Sequence, residues 1–435
     1  MIPDPSHVDH HSPRRVPPVA GVETAGFRRL LRIWFIALIG DGVRVTTLPV
    51  FAAVSTRDPL AVSAVAVAEV LPWLVVALPA GALVDRMRPR AVVFGAHAVR
   101  GLLTAVLAVL VVAGRAGPVT LAVFAFLVTS AQTFADSAEQ VLLVELAGPR
   151  DIERANARFV TAETIGLDLV GPLTAGVLLG VGAGGVGAFS TWPPTLCFGL
   201  NALAFLVAAG QVARLPDIAA RCDRSGDTRT SVIARLRADV VEGGRFLARH
   251  RGLRTLVGIV MLTAFAVSAT NAVTALYVVQ ALAAPAAVMS AMLIALSLGT
   301  LAAARISPVV AGGVGDGPVL VGSLFLLGAG MAVVGTIPSV AAAVAGYLLV
   351  GCAVGGWNVL AASRRQRMTP HRMMGRVSSA YRVLTWGFMP LGAGFAGPLA
   401  ALTSLRTVFL VVAGLVALAA VVAARPLLRS PELTG

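Results

Sequence analysis

The decapeptide Gly81-Ala-Leu-Val-Asp85-Arg86-Met-Arg88-Pro89-Arg90 lies between two long apolar runs, Ala61 to Leu83 and Ala91 to Ala113. Each run is long enough to cross a hydrocarbon layer, which takes about 20 residues. An acid and three arginines crowd a connection too short to be a domain. Such charges are costly in hydrocarbon, so they mark a membrane surface. Arginine concentrated in short loops marks the cytosolic side. This one loop fixes the direction of every span before and after it. Gly81 is expected to let two helices approach closely.

Composition agrees. The chain is 57% hydrophobic and 13% charged, where soluble domains carry about 25% charged residues. Mean hydropathy is +0.85. The length of 435 residues holds about a dozen spans with short loops. This is a polytopic membrane protein rather than a soluble enzyme with an anchor. The net charge of +14 comes from arginine alone, because no lysine is present. Host base composition accounts for that bias, and the arginines set topology rather than bind nucleic acid. Without lysine, the G-x-x-x-x-G-K-[ST] phosphate loop of ATP-driven transport does not exist here. Cys197, Cys222 and Cys352 are scattered and odd in number, which implies no disulfide framework. Neither metal nor cofactor is expected, and His7, His10 and His11 read as part of a polar tail.

Taken in order, residues 1–26 form a disordered cytosolic tail and residues 27–213 a first set of six spans. These are about Leu31–Phe51, Leu60–Val84, Ala91–Ala113, Val119–Leu142, Ala157–Val181 and Pro194–Val212. The segment around Pro149-Arg150 and Glu153-Arg154 is expected to be a cytosolic loop. Residues 214–253 are an arginine-dense cytosolic linker, with an amphipathic helix over Val232–Leu256 lying on the inner face or across the bundle. Residues 254–425 carry six more spans, about 255–279, 284–311, 318–336, 339–361, 378–402 and 407–424, before a tail at 426–435. Even counting places both termini in the cytosol. Gly312-Gly-Val-Gly-Asp316 repeats the glycine-to-acid spacing of Gly81 and Asp85 in the second set.

Charges within spans are functional candidates, and here the acids among them are confined to the first six. Asp41 and Arg44 share a face of span one at i,i+3, and Arg100 on span three lies at similar depth. A cluster of Asp41 with Arg44 or Arg100 is the economical way to hold them; it either couples transport or permanently locks spans one and three. Glu69 stands alone on span two, and Asp168 lies on span five near Thr161 and Thr164. Gln132, Asp136, Glu139 and Gln140 form one stripe on span four, level with Glu163. Glu139 is read as pairing with Arg86 or Arg154 in a cytosolic gate. Carboxylates and His97 are the plausible proton carriers, since arginine does not release its proton usefully. The second set offers a neutral wall of Asn271 and Tyr277 on span seven and Trp357 and Asn358 on span ten.

Six plus six spans joined by a basic linker, with G-x-L-x-D-R-x-x-x-R between spans two and three, resemble the major facilitator transporters. The resemblance implies an all-α membrane fold of twelve transmembrane helices in two six-helix halves. It implies that span four lines a central cavity, which Asp136 is then expected to face. It implies a gate latch of Gly81, Asp85, Arg86 and Arg90, with Asp316 and Arg376 as second-half members. Gly171, Pro172 and Gly176 resemble the glycine-proline motif of drug and proton antiporters. Gly40-Asp41-Gly42, Pro72 and Gln366 with Pro370, Gly375 and Arg376 resemble the exporter branch that includes macrolide efflux pumps and the enterobactin exporter. The function implied is proton-coupled export of an amphipathic small molecule, an antibiotic, drug or siderophore, by a monomer in the inner membrane. An importer of a small nutrient shares the same fold and latch, and a non-transporting sensor or scaffold is the remaining alternative.

Overall fold

The computed structural model describes residues 21–84, 86–181, 192–215 and 229–429, which contain helices and no strand. The N-terminal tail, the Cys222 segment and Asp85 lie outside the described residues. Helix α1, Ala25–Thr56, opens at Thr24, whose hydroxyl caps the Phe27 N–H at 3.2 Å. Span two is broken. Pro72 removes a backbone donor, and the helix stops as α2, Pro59–Val75, before resuming as α3, Ala77–Val84. Helix α4, Pro89–Val112, starts at the proline of the opening decapeptide, where a missing N–H costs nothing.

Helix α5, Pro118–Glu163, carries two spans in one run. The expected loop around Pro149 is instead helical, and the direction changes at Gly148, with φ 71° and ψ 166°. Only glycine adopts that conformation readily, and Pro149 then starts the next helix with φ already set. Span five continues through a π-turn, Thr164–Val170, into α6, Gly171–Val181. Pro172 follows the π-turn, and wider turns of this kind relieve backbone bonds that a proline disrupts. Helix α7, Trp192–Val212, completes the first half.

The linker helix α8 covers Arg229–Arg249 and stops seven residues before the expected Leu256. His250 caps the next helix through the Leu253 N–H at 3.4 Å, ending one helix and starting another. The second half contains α9, Arg251–Leu276, with a π-turn to Ala281; α10, Ala287–Val314; and α11, Asp316–Thr336. It closes with α12, Val340–Met368; α13, Met374–Leu402; and α14, Leu405–Arg429. Among the described residues, ten runs are long and apolar enough to cross a membrane. Counting α5 with α6 as two passes and broken α2–α3 as another gives twelve.

The halves meet along the ends remote from the arginine loops. Ser63 donates to the Ala393 carbonyl and accepts from the Gly397 N–H at 3.2 Å. A Cβ on Gly176 would fall 2.8 Å from Ser290. The Gln280 amide donates to the Arg57 carbonyl at 2.9 Å. Farther in, Trp73 and Trp386 meet edge to face, with centroids 4.4 Å apart. Beyond that pair, toward the arginine-rich face, the halves part around two cavities. The cavities thus lie on the arginine-rich side of the joined ends.

Candidate functional site

Span one supplies the centre of the site. Gly40 and Gly42 flank Asp41, and both are needed for close approach: a Cβ on Gly42 would fall 2.5 Å from the Leu167 carbonyl oxygen, and one on Gly40 2.9 Å from Asn201. The glycines pull Asp41 into the middle of the first half, where it is 4% exposed. Arg100 Nη2 donates to both of its oxygens, at 2.5 and 2.7 Å, and reaches Gln132 Oε1 at 3.4 Å. Arg44 Nε approaches Asp41 at 3.3 Å, and its Nη1 holds Glu69 at 2.6 Å. The chain Gln132–Arg100–Asp41–Arg44–Glu69 thus crosses four spans. Two arginines balance two acids, as burial in hydrocarbon requires. Asp41 takes both arginines that the sequence offers it, and Glu69 is not alone.

The Arg100 guanidinium also lies 4.0 Å from the Phe205 ring centre, a cation–π contact from α7. His97 stacks on the other reach of that ring and binds Glu139 Oε1 through Nε2 at 3.0 Å. Glu139 is therefore an interior partner of His97, not of Arg86 or Arg154. The His97 Nδ1, Arg100 Nε and Trp34 Nε1 atoms are buried without a hydrogen-bond partner.

Asp41, His97, Arg100, Gln132 and Glu139 line a cavity of about 420 Å³. Asp136 and Glu163 also line it, and among the described residues neither side chain has an ion-pair or hydrogen-bond partner. Trp34 packs on Phe159 at 4.2 Å on one side, and the Trp73–Trp386 pair closes another. A second cavity of about 250 Å³ shares Trp73, Asp136, Gln140 and Trp386, and extends to Ser379 and Arg382 on α13. Asp168 sits half-buried on the π-turn and lines neither cavity.

The second half differs from expectation. Tyr277 points away from the cavities: its hydroxyl donates to the Val334 carbonyl at 2.6 Å, and its ring meets Phe409 at 5.0 Å. Trp357 is buried, Asn271 and Asn358 are exposed, and none of them lines either cavity. Helix α13 contributes instead. Trp34, Trp73, Trp386, Phe205 and Arg382 had no charge or motif in apolar surroundings to single them out, except that Arg382 stands alone in its span.

Asp85 of the expected latch lies outside the described residues, and its other members are placed as follows. Among the described residues, a Cβ on Gly81 would meet nothing within 4 Å, so this glycine is not required for a close approach there. Arg90 donates to the Ala213 carbonyl and Arg29 to the Arg214 carbonyl, and both serve the free carbonyls ending α7. Arg90 therefore ties the first half to itself. Asp316, at the start of α11 after Gly315 with φ 86°, pairs with Arg367 of α12. Arg376 binds Asp239 at 3.1 Å and Glu242 at 2.6 Å on α8. Gly171 packs on Gly42 of span one, whereas Gly176 lies on the seam against α10.

The Major Facilitator Superfamily model matches residues 33–391. The multidrug efflux pump Tap of Mycolicibacterium fortuitum is 28% identical over 93% of this chain and 98% of its own. The nucleoside transporter NupG superposes with a TM-score of 0.72 at 15% identity, over 93% of this chain and 99% of that one. A bacterial homologue of the human lysosomal transporter Spinster, inward-facing and occupied, gives 0.69 at 12% identity, over 93% of this chain and 98% of that one. With its apolar helices and enclosed polar site, this chain is a multi-pass membrane transporter, not an enzyme, and it belongs to the Major Facilitator Superfamily.

Proposed function

We propose that the protein exports an amphipathic small molecule by alternating access, driven by proton entry. The observation that carries this reading is the state of the two central acids. Both oxygens of Asp41 already accept Arg100, and Arg44 adds a third contact. Asp136 accepts no donor and borders both cavities. Its oxygens are free to take a proton in one state and to meet substrate in the other. Asp41 is the node that holds spans one, two and three together around it. Similarity to a multidrug efflux pump supports the outward direction.

The energetics suffice. Each charge crossing 100 mV supplies about 2.3 kcal/mol. Substrate enters from the arginine-rich side; the inner ends then close and the outer seam opens. Protonation of Asp136 from outside releases the substrate and returns the carrier. In this scheme the linker helix α8, clamped by Arg376, travels with the second half.

The test is efflux from proteoliposomes under an imposed pH gradient, with and without a protonophore. Asp136→Asn is expected to abolish gradient-driven efflux while the protein elutes as wild type. Full gradient-driven efflux from both Asp136→Asn and Asp41→Asn would overturn the assignment, and accumulation in place of depletion would reverse the direction.

A further inference from the structure

A third cavity, of about 430 Å³, is a groove between α10, α11 and α12 of the second half. It shares no residue with the two cavities between the halves. Its walls include Ile306, Val310 and Val314, which are 57%, 45% and 58% exposed. Apolar side chains exposed on a membrane span face hydrocarbon. Val314 and Pro318 flank the turn at Gly315, beside the Asp316–Arg367 pair, so the groove opens into the leaflet on the arginine-rich side.

The floor has a different character. Ser307 of α10 and Ser323 of α11 converge there over Gly356 of α12. A Cβ on Gly356 would fall 3.0 Å from the Ser323 Oγ and 3.7 Å from the Ser307 Cβ. The glycine therefore keeps the space between the two serines open. Ser323 donates to the Val319 carbonyl at 2.9 Å, which leaves its oxygen free only to accept. Ser307 is 5% exposed, and among the described residues its hydroxyl has no hydrogen-bond partner. A polar group left unmatched in hydrocarbon is costly, so this pair of serines calls for a third group between them.

We propose that the groove binds a neutral alcohol dissolved in the bilayer, with its apolar body along Ile306 and Val310 and its single hydroxyl at the floor. That hydroxyl accepts from Ser307 and donates to Ser323. A ketone or an ester accepts only, and leaves the Ser323 oxygen unused. No charged side chain lines the groove among the described residues, so an ion there would lack a counter-charge in hydrocarbon. The volume falls within the range of about 300–1,000 Å³ typical of small-molecule sites. Helix α10 also carries Ser290, which meets Gly176 at the seam between the halves, so an occupant bears on a helix that joins them. The site lies apart from the central cavity and does not depend on the export scheme.

The experiment photolabels the full-length protein in phosphatidylcholine vesicles, without any gradient, using an octanol that carries an aliphatic diazirine. Adducts mapped by mass spectrometry are expected to concentrate on Ile306, Val310 and Cys352. Excess 1-decanol should remove them, whereas decane at the same membrane concentration should not. Ser307→Ala should weaken groove labelling about fivefold, which corresponds to about 1 kcal/mol. Gly356→Ala, which fills the floor, should weaken it at least as much. Both variants are small changes, and their elution profiles report whether they fold. Adducts spread over all lipid-facing helices, equal competition by decane, or full groove labelling of a well-folded Ser307→Ala each overturn the proposal; the second outcome would assign the groove to acyl chains of the bilayer.

Discussion

Arg100 is the residue on which the interior depends most. It is 2% exposed, holds both oxygens of Asp41, touches Gln132 and lies over Phe205. Removing one partner of a buried pair strands the other, at a cost of about 3–5 kcal/mol. Arg100→Ala is therefore expected to lower the thermal unfolding midpoint in detergent substantially, and Asp41→Ala to do likewise. Because the two share one interaction, the double variant should lose less than the sum, which a double-mutant cycle reads directly. Part of this was legible in the sequence: charges in apolar spans demand partners, and depth brought Asp41, Arg44 and Arg100 together. Glu69 was not placed because its partner lies a full span away, where spacing gives no register. The His97–Glu139 pair was equally hidden, since Arg154 offered Glu139 a partner closer in sequence than His97.

At the level of the helix, glycines divide into those that are occupied and those that are not. Gly42 and Gly171 interlock, and a Cβ on Gly171 would fall 2.5 Å from the Gly42 Cα. Gly42→Ala is expected to cost about 1–3 kcal/mol through overpacking, seen as reduced thermal stability. Gly81→Ala meets no neighbour and should be neutral or stabilising, since alanine exceeds glycine in helix interiors by about 1 kcal/mol. The sequence motif suggests the reverse order of importance, because a motif marks where a family places glycine but not which surface lies opposite. The spans themselves were easier to read, as each is a long apolar run. The merged run of α5 was not, because Gly148 turns the chain without breaking the helical hydrogen-bond pattern on either side. Along the α6–α10 seam, Gly176→Cys with Ser290→Cys, in a background lacking the native cysteines, should cross-link on oxidation and arrest transport; free turnover after complete cross-linking would contradict a moving seam.

For the whole molecule, the fold class was plain from composition and loop charge, while the state of the carrier was not. No pattern in one sequence says which end of two halves is closed. The contacts of Ser63 with Ala393 and Gly397 supply that answer. A cysteine at Ser379, at the cavity mouth, is expected to react with a membrane-impermeant thiol reagent from the arginine-rich side and to be protected from the other. Equal labelling from both faces would mean that the seam is not sealed. The closed seam has a mechanical corollary. A protein joined at one surface and parted at the other occupies a larger cross-section in one leaflet than in its mate. When it rocks, it exchanges area between leaflets and works against their lateral pressure. Lipids that crowd the inner leaflet are therefore expected to disfavour a form parted on that side, which would make the bilayer itself an effector of the cycle.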